Sequence, residues 1–333
     1  MTNQAAQTRR LLVIVPAYNE EETIAQTLQG IWSVTDELKT RGVALSVCVV
    51  NDGSSDRTFE RAQAAGADII VTHRTNRGLG AAVRTGLMHA REDGFDLVVK
   101  FDADLQHDPR DIPGLLEPVL AGRADVVYGD RFGQISYRMP LIRRTGNLVF
   151  SRLMRALTGW PVTDSQPGIF AVNRSYIENA YLPGSYNYTQ QVLLDARALG
   201  LRFAQVPVHF DARRHGRSFV SLKYPYRVLY QMLIIIASNK PMTIFFPIGL
   251  FFLVLAVTIG GVQMAQWMAG INDKPIQNVN LVMISFVFGA QVVLFGLLAE
   301  LIVQSRQARG PQRDVAHVHY AARPEERAIA AKR

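Results

Sequence analysis

Cysteine is nearly absent: the chain carries one, Cys48, among 333 residues. A disulfide within the chain is therefore impossible, and no Cys-rich zinc site exists. Cys48 lies inside the apolar run Leu45–Val50 and reads as a small core residue. Acidic residues are missing from Ala212 to Asn272, while Arg213, Arg214, Arg217, Lys223, Arg227 and Lys240 crowd the part of that stretch before its apolar run. Charge of either sign is missing from Ile244–Met268 and again from Val279–Ala299. The net charge of +8 is thus placed beside apolar segments. That placement suits contact with anionic lipid rather than nucleic acid, and no base-reading signature accompanies it. At the start, Met1–Arg10 is polar, and the run Leu11–Val15 is too short for a signal peptide.

What is present divides unevenly. A helix over Ile244–Met268 would be about 37 Å long, enough to cross a bilayer core. Val279–Ala299 matches it, and the link Ile271–Asn278 holds only Asp273 and Lys274 as charges. A short link between two apolar segments predicts a helical hairpin. Basic residues precede the first span and follow the second (Arg306, Arg309, Arg313), which predicts both termini on the cytoplasmic side. Phe219–Ser238 mixes Tyr224, Tyr226 and Tyr230 with basic residues and an apolar face broken by Pro225, a pattern for helices lying in the membrane interface. The expected organisation is a cytoplasmic domain over 1–215, juxtamembrane amphipathic helices over 216–240, and a transmembrane hairpin over 241–304 with spans near 244–268 and 279–303. A charged tail over 305–333, poor in large apolar residues, reads as mobile.

The first part alternates short apolar runs with helical patterns. Leu11–Val15, Leu45–Val50, Asp68–Thr72, Leu97–Phe101 and Ala124–Tyr128 read as strands. Helical patterns fill the intervals, and further helices are expected over Leu141–Leu157 and Tyr188–Leu199 before a strand at Phe203–Val208. The class is α/β, with a mostly parallel sheet covered on both faces. Ligands bind such sheets at the carboxyl ends of the strands, and the polar motifs of this chain all sit there.

The most telling motif is Lys100-Phe101-Asp102-Ala103-Asp104-Leu105-Gln106-His107. It follows a short run that reads as a strand ending in water. Two carboxylates one residue apart at a strand end can reach one hard cation, Mg²⁺ or Mn²⁺, which bridges protein carboxylates to substrate phosphates. Asp52 closes the second strand beside Gly53, where a carboxylate can accept from a nucleobase N–H, of uracil or guanine, and Ser55 or Asp56 caps the helix that follows. Pro16-Ala17-Tyr18-Asn19-Glu20 would form the facing wall, with Tyr18 and Glu20 as polar contacts. Gly78-Leu79-Gly80 invites a dinucleotide reading that fails. Its third glycine position is Val83, and the motif does not follow the first strand. It reads instead as a helix start packed beneath a nucleotide.

Pro16–Glu20, Asn51–Asp56, Asn76–Ala81 and Asp102–His107 together resemble the signature series of family 2 glycosyltransferases of GT-A fold. Gly129-Asp130-Arg131, the Arg143-Arg144 helix, Asp164–Gly168, Arg213–Ser218 and the terminal hairpin make the chain similar to the polyprenyl-phosphate glycosyltransferases within that family. The resemblance implies metal binding by Asp102, Asp104 and Gln106. It implies nucleotide-sugar contacts from Pro16, Ala17, Tyr18, Glu20, Asp52, Ala103 and Arg213, and lipid-phosphate contacts from Arg131, Arg143 and Arg144. Asp104, Asp164 and Arg131 would then be catalytic, Asp164 by orienting the acceptor or a sugar hydroxyl. The implied reaction is inverting transfer of one hexose from a UDP- or GDP-linked donor to polyprenyl phosphate at the cytoplasmic membrane, by a chain that can be homo-oligomeric. Pro167, Asp130 and Phe219 depart from the commoner residues Ser, Ser or Thr, and Lys at those places; Lys223 or Arg217 could replace that Lys. A processive polysaccharide synthase would need a Gln-x-x-Arg-Trp motif and more spans, and neither is present. A non-catalytic scaffold would not need the Asp102/Asp104 pair.

Overall fold

The structure, a computed structural model, describes residues 8–132, 141–182, 188–211, 237, 241–307 and 315–320. The chain divides into two compact units, residues 1–220 with 312–333, and residues 221–311. The first is built on one sheet. Its strands are β1 (Arg9–Ala17), β2 (Val43–Asn51), β3 (Ile69–His73), β4 (Leu97–Lys100), β5 (Val126–Asp130), β6 (Phe170–Asn173), β7 (Phe203–Pro207) and β8 (Val315–Tyr320). Their spatial order is β7-β5-β6-β4-β1-β2-β3-β8. β1 pairs in parallel with β2 and β4, β2 with β3, and β5 with β7. Leu11–Val15 is wholly buried, as a central parallel strand covered on both faces requires.

The helices are α1 (Ile24–Ser33), α2 (Thr35–Thr40), α3 (Thr58–Ala64), α4 (Leu79–Glu92), α5 (Ile112–Leu120), α6 (Leu141–Thr158), α7 (Arg174–Asn179) and α8 (Tyr188–Ala198), with a 3₁₀ turn at Pro109–Asp111. Ile24, Leu28 and Ile31 on α1 and Ile112, Leu115, Leu116 and Val119 on α5 join β1, β2 and β4 in the main core. The strand order reverses between β1 and β4, and the loops after β1, β2 and β4 therefore converge above the sheet.

Three features differ from the sequence reading. β6 and α7 were not expected; β6 runs antiparallel and wedges between β4 and β5. β4 does not end in water: Lys100, its last residue, is 0% exposed. The tail read as mobile from Ser305 begins as helix and later forms β8, which pairs antiparallel with β3. Val315-Ala316-His317-Val318-His319-Tyr320 has the β-branched and aromatic residues that suit a strand. Without it β3 would be an open sheet edge. The segment Phe219–Ser238, expected to hold interfacial helices, lies outside the described residues except for Ala237.

The second unit contains α9 (Met242–Met268) and α10 (Val279–Gln307), both long and apolar enough to cross a membrane. They run close where Gly249 faces Gly289; a Cβ on either would stand 2.8 Å from the other's carbonyl oxygen. Small residues permit this approach in apolar helix pairs. Phe252 and Phe288 meet edge to face at 4.7 Å. The buried Gln263 accepts from the N–H groups of Gln277 and Asn278 at 2.7 and 3.0 Å, which closes the link. Val257, Ile284, Leu294 and Leu301 are all exposed, an apolar periphery of the kind that a lipid environment would solvate.

Candidate active site

The loops after β1 and β2 are clasped together by their own polar side chains. Asn19, at φ +54, donates its N–H to Ser54 Oγ at 3.0 Å and accepts from the Ser55 N–H at 2.9 Å. The Glu20 N–H reaches Thr58 Oγ1 at 2.8 Å, and the Glu21 N–H reaches Asp56 at 3.1 Å. Neither expected cap residue is the N-cap, which is Arg57 and makes no side-chain cap bond; Asp56, one residue earlier, accepts from the Thr58 N–H at 3.0 Å and from the Thr58 hydroxyl at 2.5 Å. Burial pushes the Asp56 carboxyl up, but the Thr58 hydroxyl and the N–H groups of Thr58 and Glu21 outweigh it and hold it below the usual range.

Asp52 is almost fully buried and binds the loop that starts α4. Its carboxylate accepts from the N–H groups of Arg77 and Gly78 at 2.9 and 2.7 Å and from His73 Nδ1 at 2.6 Å. His73 in turn faces Thr85 Oγ1 through Nε2 at 2.9 Å. Gly53, at φ +69, is required by this loop: a Cβ there would stand 2.6 Å from the Thr75 carbonyl carbon. A carboxylate offers about four acceptor sites, so three donors leave Asp52 one for a ligand.

These loops enclose a cavity of about 390 Å³ lined by Pro16, Ala17, Tyr18, Glu20, Asp52, Asn76, Gly78, Leu79, Ala82, Asp102, Ala103 and Asp104. All the expected nucleotide-sugar residues are thus together except Arg213, which lies outside the described residues. The Tyr18 ring is 46% exposed, available for stacking.

A second cavity, of about 280 Å³, shares Leu79, Asp102 and Asp104 with the first and is otherwise lined by Gln106, His107, Arg131, Gln166, Pro167, Gly168, Tyr188, Thr189, Gln190 and Phe210. The two carboxylates therefore stand where the cavities meet. Lys100 lies behind them and donates to Asp102 Oδ1 at 2.5 Å and to the Gly168 carbonyl at 2.7 Å, its ammonium 5.7 Å from the Tyr188 ring. Burial pushes the Lys100 ammonium down, but Asp102 and Tyr188 outweigh it and the net shift is upward, so it is charged. Asp104 Oδ1 accepts from the Gln106 N–H at 3.2 Å across Leu105, held at φ +59. Gln106 Nε2 donates to the Asp211 carbonyl at 3.1 Å, which leaves its Oε1 for another partner.

Among the described residues no three His, Cys, Asp or Glu side chains converge on one point. The oxygen donors of Asp102, Asp104 and Gln106 fit a hard cation completed by substrate oxygens and water, not a cage made by protein alone. His107 is wedged between Phe101 and Phe210, with ring centroids 6.2 and 5.0 Å away. Burial pushes its pKa down to about 4, so the imidazole is neutral at pH 7.

Arg131 forms a two-pronged pair with Asp164, Nε to Oδ2 at 2.6 Å and Nη2 to Oδ1 at 3.0 Å. The Asp164 side chain is 0% exposed, and the guanidinium sits 5.1 Å from the Phe210 ring centroid. The neighbouring Asp130 accepts from the Phe132 N–H and the Thr163 hydroxyl. Arg143 and Arg144 fall in the first turn of α6, and their side chains are not described. Sequence reasoning missed four polar groups of this region, Lys100, His73, His107 and Gln190. Lys100 and His107 lie within the quoted motif, but nothing in the pattern marks either as buried; His73 and Gln190 carried no signal.

A family profile described as "Glycosyl transferase family 2" matches residues 12–180, and one described as "GtrB C-terminal hairpin" matches residues 240–305. The chain is 32% identical over 222 residues to an undecaprenyl-phosphate mannosyltransferase of Micrococcus luteus, covering 64% of this chain and 88% of the relative. It is 28% identical over 245 residues to a UDP-N-acetylglucosamine–dolichyl-phosphate N-acetylglucosaminyltransferase of Methanococcus voltae, covering 66% and 94%. Among solved structures it is similar to glucosyl-3-phosphoglycerate synthase of Mycobacterium tuberculosis in complex with Mn²⁺, UDP and glucosyl-3-phosphoglycerate, at 26% identity and a TM-score of 0.52, covering 68% of this chain and 79% of that one.

Proposed function

Because the chain belongs to glycosyl transferase family 2, we propose that it transfers one hexose from a nucleoside diphosphate sugar to the phosphate of a membrane polyprenyl lipid. The observation that carries this reading is the position of Asp102 and Asp104 between two cavities, one walled by Pro16–Glu20 and Asp52, the other by Arg131. The relatives named for polyprenyl-phosphate substrates support the acceptor. The Mn²⁺ and UDP of the similar solved structure support the donor chemistry.

The first cavity takes the nucleotide. Tyr18 stacks on the base, and the remaining acceptor site of Asp52 receives a ring N–H. Asp102, Asp104 and Gln106 would hold Mg²⁺ or Mn²⁺, which would supply charge neutralisation to the diphosphate leaving group. The acceptor phosphate is largely ionised near pH 7, since its second pKa is about 6, so no strong general base is needed. Arg131 positions that anion. Asp164 acts through Arg131, fixing the plane of the guanidinium. Attack in line with the departing diphosphate inverts the anomeric centre.

The helices α9 and α10 anchor the protein in the membrane beside its lipid substrate. The pairing of β8, which follows α10, with β3 supports an even number of crossings, and the basic flanks support a cytoplasmic side for both termini. The test is Asp104→Asn in membranes supplied with nucleotide sugars and undecaprenyl phosphate. Turnover falls at least about a hundredfold with the fold intact, and excess chelator abolishes wild-type transfer. Full activity in the variant or in chelator contradicts the reading.

A further inference from the structure

The second cavity contains two buried polar side chains that lack hydrogen-bond partners among the described residues. One is His107, at both ring nitrogens; the other is Gln190, at Nε2. The residues are 5% and 0% exposed. Native interiors leave few such groups unpaired, and those that remain ask for an explanation. Both groups are also fixed in place. The His107 ring is held between Phe101 and Phe210, and residue 107 forms an antiparallel bridge with residue 210. Gly168 clears room for it: a Cβ at that position would lie 2.2 Å from His107 Nε2 and 2.7 Å from Asp102 Oδ2. Gln190 Oε1 accepts from the Thr189 hydroxyl at 3.2 Å, which identifies its other end as the unpaired N–H donor.

We propose that His107 and Gln190 form the subsite of the transferred hexose and read its hydroxyl groups. The proposal rests on the glycosyl-transfer reading above and adds which side chains select the sugar. The imidazole presents two unpaired ring nitrogens to the cavity, and the Gln190 amide adds a donor. A sugar hydroxyl donates and accepts at once and completes the set. Location agrees: the cavity also contains Asp102 and Asp104, at its boundary with the nucleotide cavity, and Arg131. The hexose of a bound donor would thus lie between the diphosphate and the incoming anion.

The test uses the full-length protein in detergent or bilayer with Mn²⁺ and undecaprenyl phosphate. UDP-glucose, UDP-galactose, UDP-N-acetylglucosamine and GDP-mannose are screened as donors, followed by single-deoxy analogues of the sugar transferred. In wild type, removing a hydroxyl read by the subsite lowers kcat/KM. His107→Leu and Gln190→Met each lower kcat/KM for the intact donor by roughly tenfold to a hundredfold. Each also loses discrimination against the deoxy analogue at one hydroxyl, while affinity for the sugar-free nucleoside diphosphate stays within about twofold. His107→Gln, which restores a polar end, recovers part of the discrimination; should His107→Leu not fold, His107→Gln and Gln190→Met carry the test. Wild-type discrimination in all variants overturns the proposal. So does equal loss for donor and sugar-free nucleotide, or a change confined to the KM for undecaprenyl phosphate. A wild-type protein that yields lipid-linked product from none of the four donors counts against the glycosyl-transfer reading itself.

Discussion

Arg131→Ala separates an acceptor-binding arginine from one that also holds the fold. In the structure the guanidinium spends two N–H groups on Asp164, whose side chain has no solvent exposure. Without Arg131, the only partner described for that carboxylate is the Gln166 N–H at 3.0 Å. Breaking a buried pair by removing one member costs about 3–5 kcal/mol, because the survivor is left charged and unpaired. For a unit of this size each kcal/mol corresponds to about 2–4 °C in Tm, so a drop of roughly 6–20 °C is expected. Arg131→Met combined with Asp164→Leu replaces the pair with apolar groups and should recover most of that loss. Neither variant should transfer sugar at the wild-type rate, since both lack the cation facing the second cavity. Thermal unfolding of the detergent-solubilised protein, beside separate kinetics for donor and polyprenyl phosphate, measures the two contributions. A Tm within about 3 °C of wild type for Arg131→Ala, or a double variant no more stable than the single one, would refute the reasoning.

Gly168→Ala should abolish most transfer, because its Cβ would collide with His107 Nε2 and Asp102 Oδ2; steady-state turnover near wild type would show that these groups yield freely. Burial raises Asp195 from 3.8 to about 6, despite the Tyr181 N–H it accepts at 2.9 Å. The folded carboxyl therefore holds its proton more tightly than the unfolded one. Its contribution to stability is complete below about pH 4 and is lost as pH rises through about 6, on the order of 3 kcal/mol in all. Melting curves between pH 4 and 7 should show a fall in wild type that Asp195→Asn flattens, and parallel profiles would contradict the assignment.

The sequence was most readable where chemistry and local pattern coincide. Leu11–Val15 and Leu45–Val50 are continuous apolar runs that end in Pro16–Glu20 and Asn51–Asp56, so both strands and their loops could be placed. The spans were readable from the lack of charge in Ile244–Met268 and Val279–Ala299. Phe170–Asn173 was not readable: four residues carry too little periodicity, and their antiparallel insertion between β4 and β5 is a long-range property. β8 was obscured by its charged surroundings, and its alternation becomes meaningful only beside the edge of β3. Asp52 was read as a ligand-binding carboxylate, yet much of its hydrogen bonding goes to His73, Arg77 and Gly78, more than 20 residues downstream. Lys100 looked like the wet end of a strand, because the carbonyl of Gly168 that receives it lies 68 residues away.

The central claim is transfer of one sugar to a lipid phosphate, and the mass of the lipid product tests it most directly. Purified protein in a bilayer, given Mn²⁺, undecaprenyl phosphate and each nucleotide sugar in turn, should convert the lipid into a phosphodiester carrying a single hexose, with equimolar release of nucleoside diphosphate. Nucleotide-sugar cleavage without any lipid-linked product, or a product carrying a growing chain of sugars, would contradict the account.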